Sequence, residues 1–207
     1  MSALKFNDPW TTWITSDTHA FHKNICKGCT NWKDGADRDY DDPVLMTVEM
    51  ADIINKRVMP HHNLIHLGDW SFGGFDKIKK FRDMINCENI YLVLGNHDEN
   101  IANDRDGCRK LFREVYGWHG VYCQIEIKVG QHKYFCGHFK PAVWNNSHHN
   151  IPGLWGHSHG SYPDNLKELS FDVGWDCFQR PLNFNEVEQE IAKREWTPVD
   201  HHDKETN

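Results

Sequence analysis

Five short polar signatures recur along the chain in a fixed order: Asp17-Thr18-His19, Gly68-Asp69, Gly95-Asn96-His97-Asp98, Gly137-His138 and Gly156-His157-Ser158-His159. Each of the first three follows a run of β-branched or aliphatic residues, so each is expected just past the end of a strand, where open α/β sheets bind ligands. In an extended chain Asp17 and His19 share one face, and so do His157 and His159. Carboxylate, imidazole and amide oxygens together suit divalent first-row metals, and a paired site holds its ions ~3.5–4 Å apart. Asp69 is the lone carboxylate of its signature and the natural bridge between two ions; Gly68 lets the backbone approach closely. Asn96, His138, His157 and His159 complete the ligand set, which leaves His97 free for proton transfer.

The intervening pattern reads as alternating strands and helices. Residues 10–16 form an expected strand, and 20–42 an expected long polar loop. A helix over 43–58 starts with Pro43 in its first turn and carries Val44, Val48, Ala51, Ile54 and Val58 on one face. Strands at 63–67 and 90–94, with helices at 76–85 and 109–116, continue a βαβ alternation. The second half changes character: 121–129 and 133–136 read as a hairpin turning at Gly130-Gln131, short strands precede Gly156 and cover 169–173, and a terminal helix spans 183–196.

A chain of 207 residues is long enough for one domain, placed at 1–197 with a polar tail at 198–207. It has no apolar run near the ~20 residues of a membrane span and no signal-like start, so a soluble, cytoplasmic protein with no membrane partner is expected. The seven cysteines are odd in number and scattered, which points to free thiols. Cys26 and Cys29 form a Cys-x-x-Cys without the second pair that a structural zinc site needs. The net charge of -7 argues against a broad basic face on duplex DNA, though not against nucleotides or short nucleic acid. Two divalent ions, two aspartates and one hydroxide leave a local charge of about +1, attractive to a phosphoryl group.

Together, the signatures from Asp17 to His159 resemble those of the calcineurin-like metallophosphoesterase superfamily. The finer resemblance is to small bacterial and phage phosphoesterases, whose opening Asp-x-His-x-x-His-x-Asn-Ile is matched by Asp17, His19, His22, Asn24 and Ile25; Pro141 and Trp144 fit the same group. The chain departs from protein Ser/Thr phosphatases, because Gly68-Asp69 is followed by Trp70-Ser71-Phe72-Gly73 rather than Asp-Arg-Gly. The resemblance implies an α+β or α/β fold, a four-layer sandwich of two mixed β-sheets flanked by helices. It implies one metal on Asp17, His19, Asp69 and His159 and a second on Asp69, Asn96, His138 and His157. Mn is the first choice, with Fe, Zn or Ni also compatible. His97 matches the family's catalytic histidine, assisting the leaving group as a bridging hydroxide attacks a phosphodiester or nucleotide-type phosphate ester. The alternatives are a phosphomonoesterase acting on a small nucleotide or sugar phosphate, and a noncatalytic protein-binding scaffold. The preference for a diester rests on the absence of an Arg beside the motifs, since a bidentate Arg favours a terminal dianion. His22 and Asn24 are candidate substrate contacts, Trp70 and Trp144 candidate cleft walls, and His148 and His149 expected solvated positions. The substrate and the oligomeric state carry no recognisable code.

Overall fold

The computed structural model describes residues 3–27, 38–103 and 118–196. Among them, two five-stranded mixed sheets pack face to face. The first contains β2 (Thr12–Thr15), β3 (Asn63–His66), β4 (Asn89–Val93) and β5 (Trp118–Tyr122), all parallel, with the short β10 (Leu182–Asn183) antiparallel to β2 at its edge. The second runs in the order β1 (Leu4–Phe6), β6 (Gln124–Val129), β7 (His132–Gly137), β8 (Gly153–Trp155) and β9 (Ser170–Asp172). Here β6 and β7 make an antiparallel hairpin and β7, β8 and β9 run parallel.

The first sheet is buried on both faces, which explains why its strands are nearly continuous apolar runs. Trp13, Leu64, Ile90 and Leu92 face the layer of α1 (Pro43–Arg57) and α2 (Phe75–Met84). Ile14, Ile65 and Val93 face the second sheet, meeting Ile127, Cys136, Leu154 and Phe171. Phe184 and Val187 of α5 (Phe184–Ile191) join this second core, and Asn183 and Glu186 form a reciprocal capping box at its start. No helix among the described residues is long and apolar enough to cross a membrane.

Three expectations need correction. In α1 the buried stripe is Met46, Met50, Ala51 and Ile54, while Val44 and Val48 are exposed. Two apolar stripes compete on this helix. Thr47 settles the rotation by turning inward, where its hydroxyl accepts from Phe21 N–H at 2.8 Å. The segment 121–129 is two strands, not one: the chain leaves the first sheet at Tyr122 and enters the second at Gln124, as strands do at the corners of packed sheets. The terminal helix stops at Ile191, short of 196, because Arg194 is drawn aside to Ser170 O at 2.9 Å and to Asp164. The strand β1 and the four-residue helices α3 (Glu99–Ala102) and α4 (Trp175–Phe178) were not anticipated. The helix expected at 109–116, the tail at 198–207 and Cys29 lie outside the described residues.

This topology positions the signatures. The parallel strands β2, β3 and β4 all end at one edge of the first sheet, delivering Asp17, Asp69 and Asn96 there. The parallel strands β7 and β8 deliver His138 and His157 from the second. Gly156 N–H donates to His138 O at 3.0 Å and Asp17 N–H to Gly68 O at 2.9 Å, so turns from neighbouring strands are tied in pairs.

Candidate metal centre

The ligand-bearing residues do not sit in extended chain. Asp17, His19, Asp69, His157 and His159 have φ of 54°, 46°, 55°, 72° and 50°. Left-handed backbone at a non-glycine residue is costly and persists where the surroundings over-determine it, commonly at functional sites. The same-face argument from strand alternation is therefore replaced: tight left-handed turns aim these side chains inward. Gly68, at φ 99°, is required on two counts, since a Cβ there would also lie 2.5 Å from Gly95 N and 2.7 Å from His138 Nδ1. A Cβ on Gly156 would stand 2.4 Å from Asp17 Oδ2.

Three ligand groups result, each with donor atoms within 4.8 Å of one another: Asp17, His19 and His159; Asp69, His138 and His157; and His19, Asp69 and His97. Asp69 is common to the last two. Its Oδ2 lies 3.2 Å from His19 Nε2 and 3.4 Å from His138 Nε2. Asn96 Oδ1 is 3.0 Å from His138 Nε2, and His157 N–H donates to Asp17 Oδ2 at 2.9 Å. Every ligand expected from sequence is thus drawn into one cluster, with His97 beside it.

These residues fit a cation. Asp17 Oδ1 is buried with no hydrogen-bond partner, an arrangement that is expensive unless something else satisfies it. For the protein groups alone, burial pushes the Asp17 carboxyl up to about 7 and the His19 imidazole down to about 3. Burial also opposes charge on Asp69 and His138, but their mutual hydrogen bond and attraction prevail. Asp69, helped by His19, is held well below the carboxylate range, and His138 rises to about 9. A positive ion would favour ionised Asp17 and neutral His138.

Four supporting residues escaped the sequence reading. Asp176, on α4, approaches His159 Nδ1 at 2.6 Å and is gripped by Arg38 Nε and Nη2 at 2.8 and 2.9 Å. Burial works against the Asp176 carboxylate, yet the bonds from Arg38 and His159 outweigh it and hold the group well below its usual range. Arg38 also donates to Thr18 O and Asp17 O, each at 2.6 Å. An arginine does stand beside the first signature, then, contrary to expectation, but its fork is committed to Asp176 and backbone. Asp98 accepts from Asp69 N–H, Gly95 N–H and Trp70 N–H at 2.8, 2.8 and 3.1 Å, and burial lifts its pKa to about 6. His66 Nδ1 accepts from Gly68 N–H at 3.2 Å, so Nε2 carries the proton toward Thr18 Oγ1, 2.9 Å away. Only Asp98, beside Gly95-Asn96-His97, had a local signal.

The other candidates divide. His22 joins the site, its Nδ1 3.1 Å from His19 Nδ1 and its ring stacked on Phe72 at 3.9 Å. Asn24 is exposed in the 3-10 turn Lys23–Ile25, and its side chain makes no hydrogen bond among the described residues. Trp70 does not line a cleft: it is fully buried, packing against Phe81 at 4.6 Å with its indole N–H on Ile78 O. Trp144 packs on Trp155 at 5.4 Å and borders a separate cavity. His148 and His149 are exposed, as expected, against each other. Cys26 is buried with its Sγ near His22 O.

No family model and no curated protein matches the chain. Among solved structures, the chain is similar to a protein of unknown function from Aquifex aeolicus. The two are 16% identical, the likeness covers 86% of this chain and 97% of the other, and the TM-score is 0.57. At that identity the likeness is one of fold.

Proposed function

We propose that this chain is a dinuclear metal-dependent phosphoesterase of the calcineurin-like type, with the four-layer fold of that superfamily, acting on a phosphodiester or nucleotide-type ester. The observation that carries the reading is the position of Asp69, whose one oxygen faces imidazoles from both ligand groups. Asp17, His19, Asp69 and His159 would hold one ion, and Asp69, Asn96, His138 and His157 the other. Bound there, the ions supply Lewis-acid charge for a phosphoryl group and acidify a water.

The protein's own contributions follow from its contacts. His97 N–H donates to Asp69 Oδ1 at 2.8 Å, fixing the backbone from which its exposed imidazole reaches out. In this reading a ring nitrogen of His97 gives a proton to the leaving oxygen. The carboxylate of Asp176 orients the His159 imidazole, and Leu67 O, 2.7 Å from His138 Nδ1, orients the other. With Arg38 committed, no free guanidinium fork is seen at the cluster among the described residues, which favours a diester over a terminal monoester dianion. Turnover of an aryl phosphodiester and an aryl monoester by Mn²⁺-loaded protein tests the reading. Faster diester hydrolysis is expected; hydrolysis of neither would leave a noncatalytic scaffold, and faster monoester hydrolysis a phosphomonoesterase.

A further inference from the structure

Two exposed phenyl rings bracket the ligand cluster. Phe72, 40% exposed, lies parallel on His22 with ring planes 4° apart and stands 5.5 Å from His97. Phe139, 55% exposed, stands 4.5 Å from His157 and 4.9 Å from His138. The order across the site is thus Phe72, then His22 and His97, then His19 and Asp69, then His138 and His157, then Phe139. Both rings contact imidazoles that belong to the site, and both remain substantially exposed to solvent. Beyond Phe139 the chain continues into the wall of a 280 Å³ cavity lined by Pro141, Trp144, Tyr162 and Trp196 together with Lys140 and Lys167. Lys140 Nζ lies 4.3 Å from the centre of the Tyr162 ring and pairs with Glu168.

Resting on the function proposed above, we infer that Phe72 and Phe139 are stacking platforms for the two bases on either side of a phosphodiester at the cluster. The substrate class is therefore a single-stranded di- or oligonucleotide. Aromatic rings beside lysines are the general means of holding single strands without sequence preference, because every base offers a flat π-face. A duplex hides those faces in its own stack, and a net charge of -7 argues against a chain that holds one by a broad basic face.

Binding, rather than turnover, separates this inference from the one beneath it. The probes are a fluorescein-labelled phosphorothioate dithymidylate and the same backbone with abasic sugars, titrated by anisotropy against Mn²⁺-loaded protein at one salt concentration. The base-bearing probe should bind about a hundredfold more tightly, and Phe72→Ala or Phe139→Ala should each reduce that ratio about tenfold. A ratio near one in the unaltered protein, or a ratio that neither substitution changes, would overturn the platforms. Hydrolysis of an aryl diester alongside a ratio near one would refute the platforms alone. Absence of any hydrolysis alongside a large ratio would refute the phosphoesterase and leave them standing.

Discussion

The two halves of the cluster are built from similar ligands but anchored differently. On the Asp17, His19 and His159 side, the support is ionic and long-range: Asp176 holds His159, and Arg38 binds both Asp176 and the carbonyls of Asp17 and Thr18. On the Asp69, His138 and His157 side, the partners are local backbone groups: Leu67 O faces His138, and the Asp98 carboxylate gathers the N–H groups of Asp69, Trp70 and Gly95. A carboxylate behind a histidine raises its basicity as a ligand, whereas a carbonyl mainly fixes its orientation. The first half should therefore depend on charge and the second on the integrity of the sheet edge.

Asp69 is where the two halves meet, and its loss should have the largest effect. In Asp69→Ala the bound metal, measured after gel filtration in Mn²⁺, should fall from about two ions per chain to near none, with turnover lost. A variant that keeps two ions would show that the halves do not share this carboxylate. His97 comes next. His97→Ala should retain metal while kcat for a diester with a poor leaving group drops by roughly 10² to 10⁴. Since His97 also falls within ligand distance of His19 and Asp69, metal lost from this variant would recast it as a ligand rather than a proton donor.

The contrast between the anchors predicts unequal damage. Asp176→Asn should weaken one ion about 10- to 100-fold by calorimetric titration and leave the other nearly unaffected. It should also lower the melting temperature, because Arg38 loses a partner that is 7% exposed while being itself 5% exposed. Asp98→Asn should disturb the other half, placing an amide donor against some of the three N–H groups that its carboxylate now accepts. If either substitution weakened both ions equally, the halves would not be separately anchored.

The same contrast marks what the sequence could reveal. The ligands were legible because they cluster in short polar signatures just past strand-like runs, and in all but the first of these a glycine adjoins them. Their supports were not. Arg38 and Asp176 are 138 positions apart, and nothing local at either end announces a partner. The left-handed turns at Asp17 and His157 are held by cross-strand bonds such as Asp17 N–H to Gly68 O, so the residues themselves give no sign of them. In the fold, the parallel alternation of β2 to β4 followed from apolar runs and punctuation. The change of sheet at Cys123 did not, because both flanking strands keep the same alternating pattern and only tertiary packing separates them.

His66 joins the halves and offers the smallest, most specific test. Its Nε2 faces Thr18 in the first signature, and its Nδ1 accepts from Gly68 in the second. Full burial pushes its pKa from 6.5 down to about 3, so the folded protein keeps it neutral. The unfolded chain takes up a proton as pH falls below about 6.5, while the folded chain resists until near 3. Stability is therefore complete above that upper value and declines as pH falls through the window, by at most ~1.4 kcal/mol per unit. His19 and His22, lowered in the same way, contribute slopes of the same sign. The informative quantity is thus a difference between proteins. Urea unfolding at pH 7, 6 and 5 should give a shallower loss for His66→Gln, which keeps a donor and an acceptor but does not titrate. Parallel slopes for the two proteins would mean that His66 is not the neutral link between the two turns.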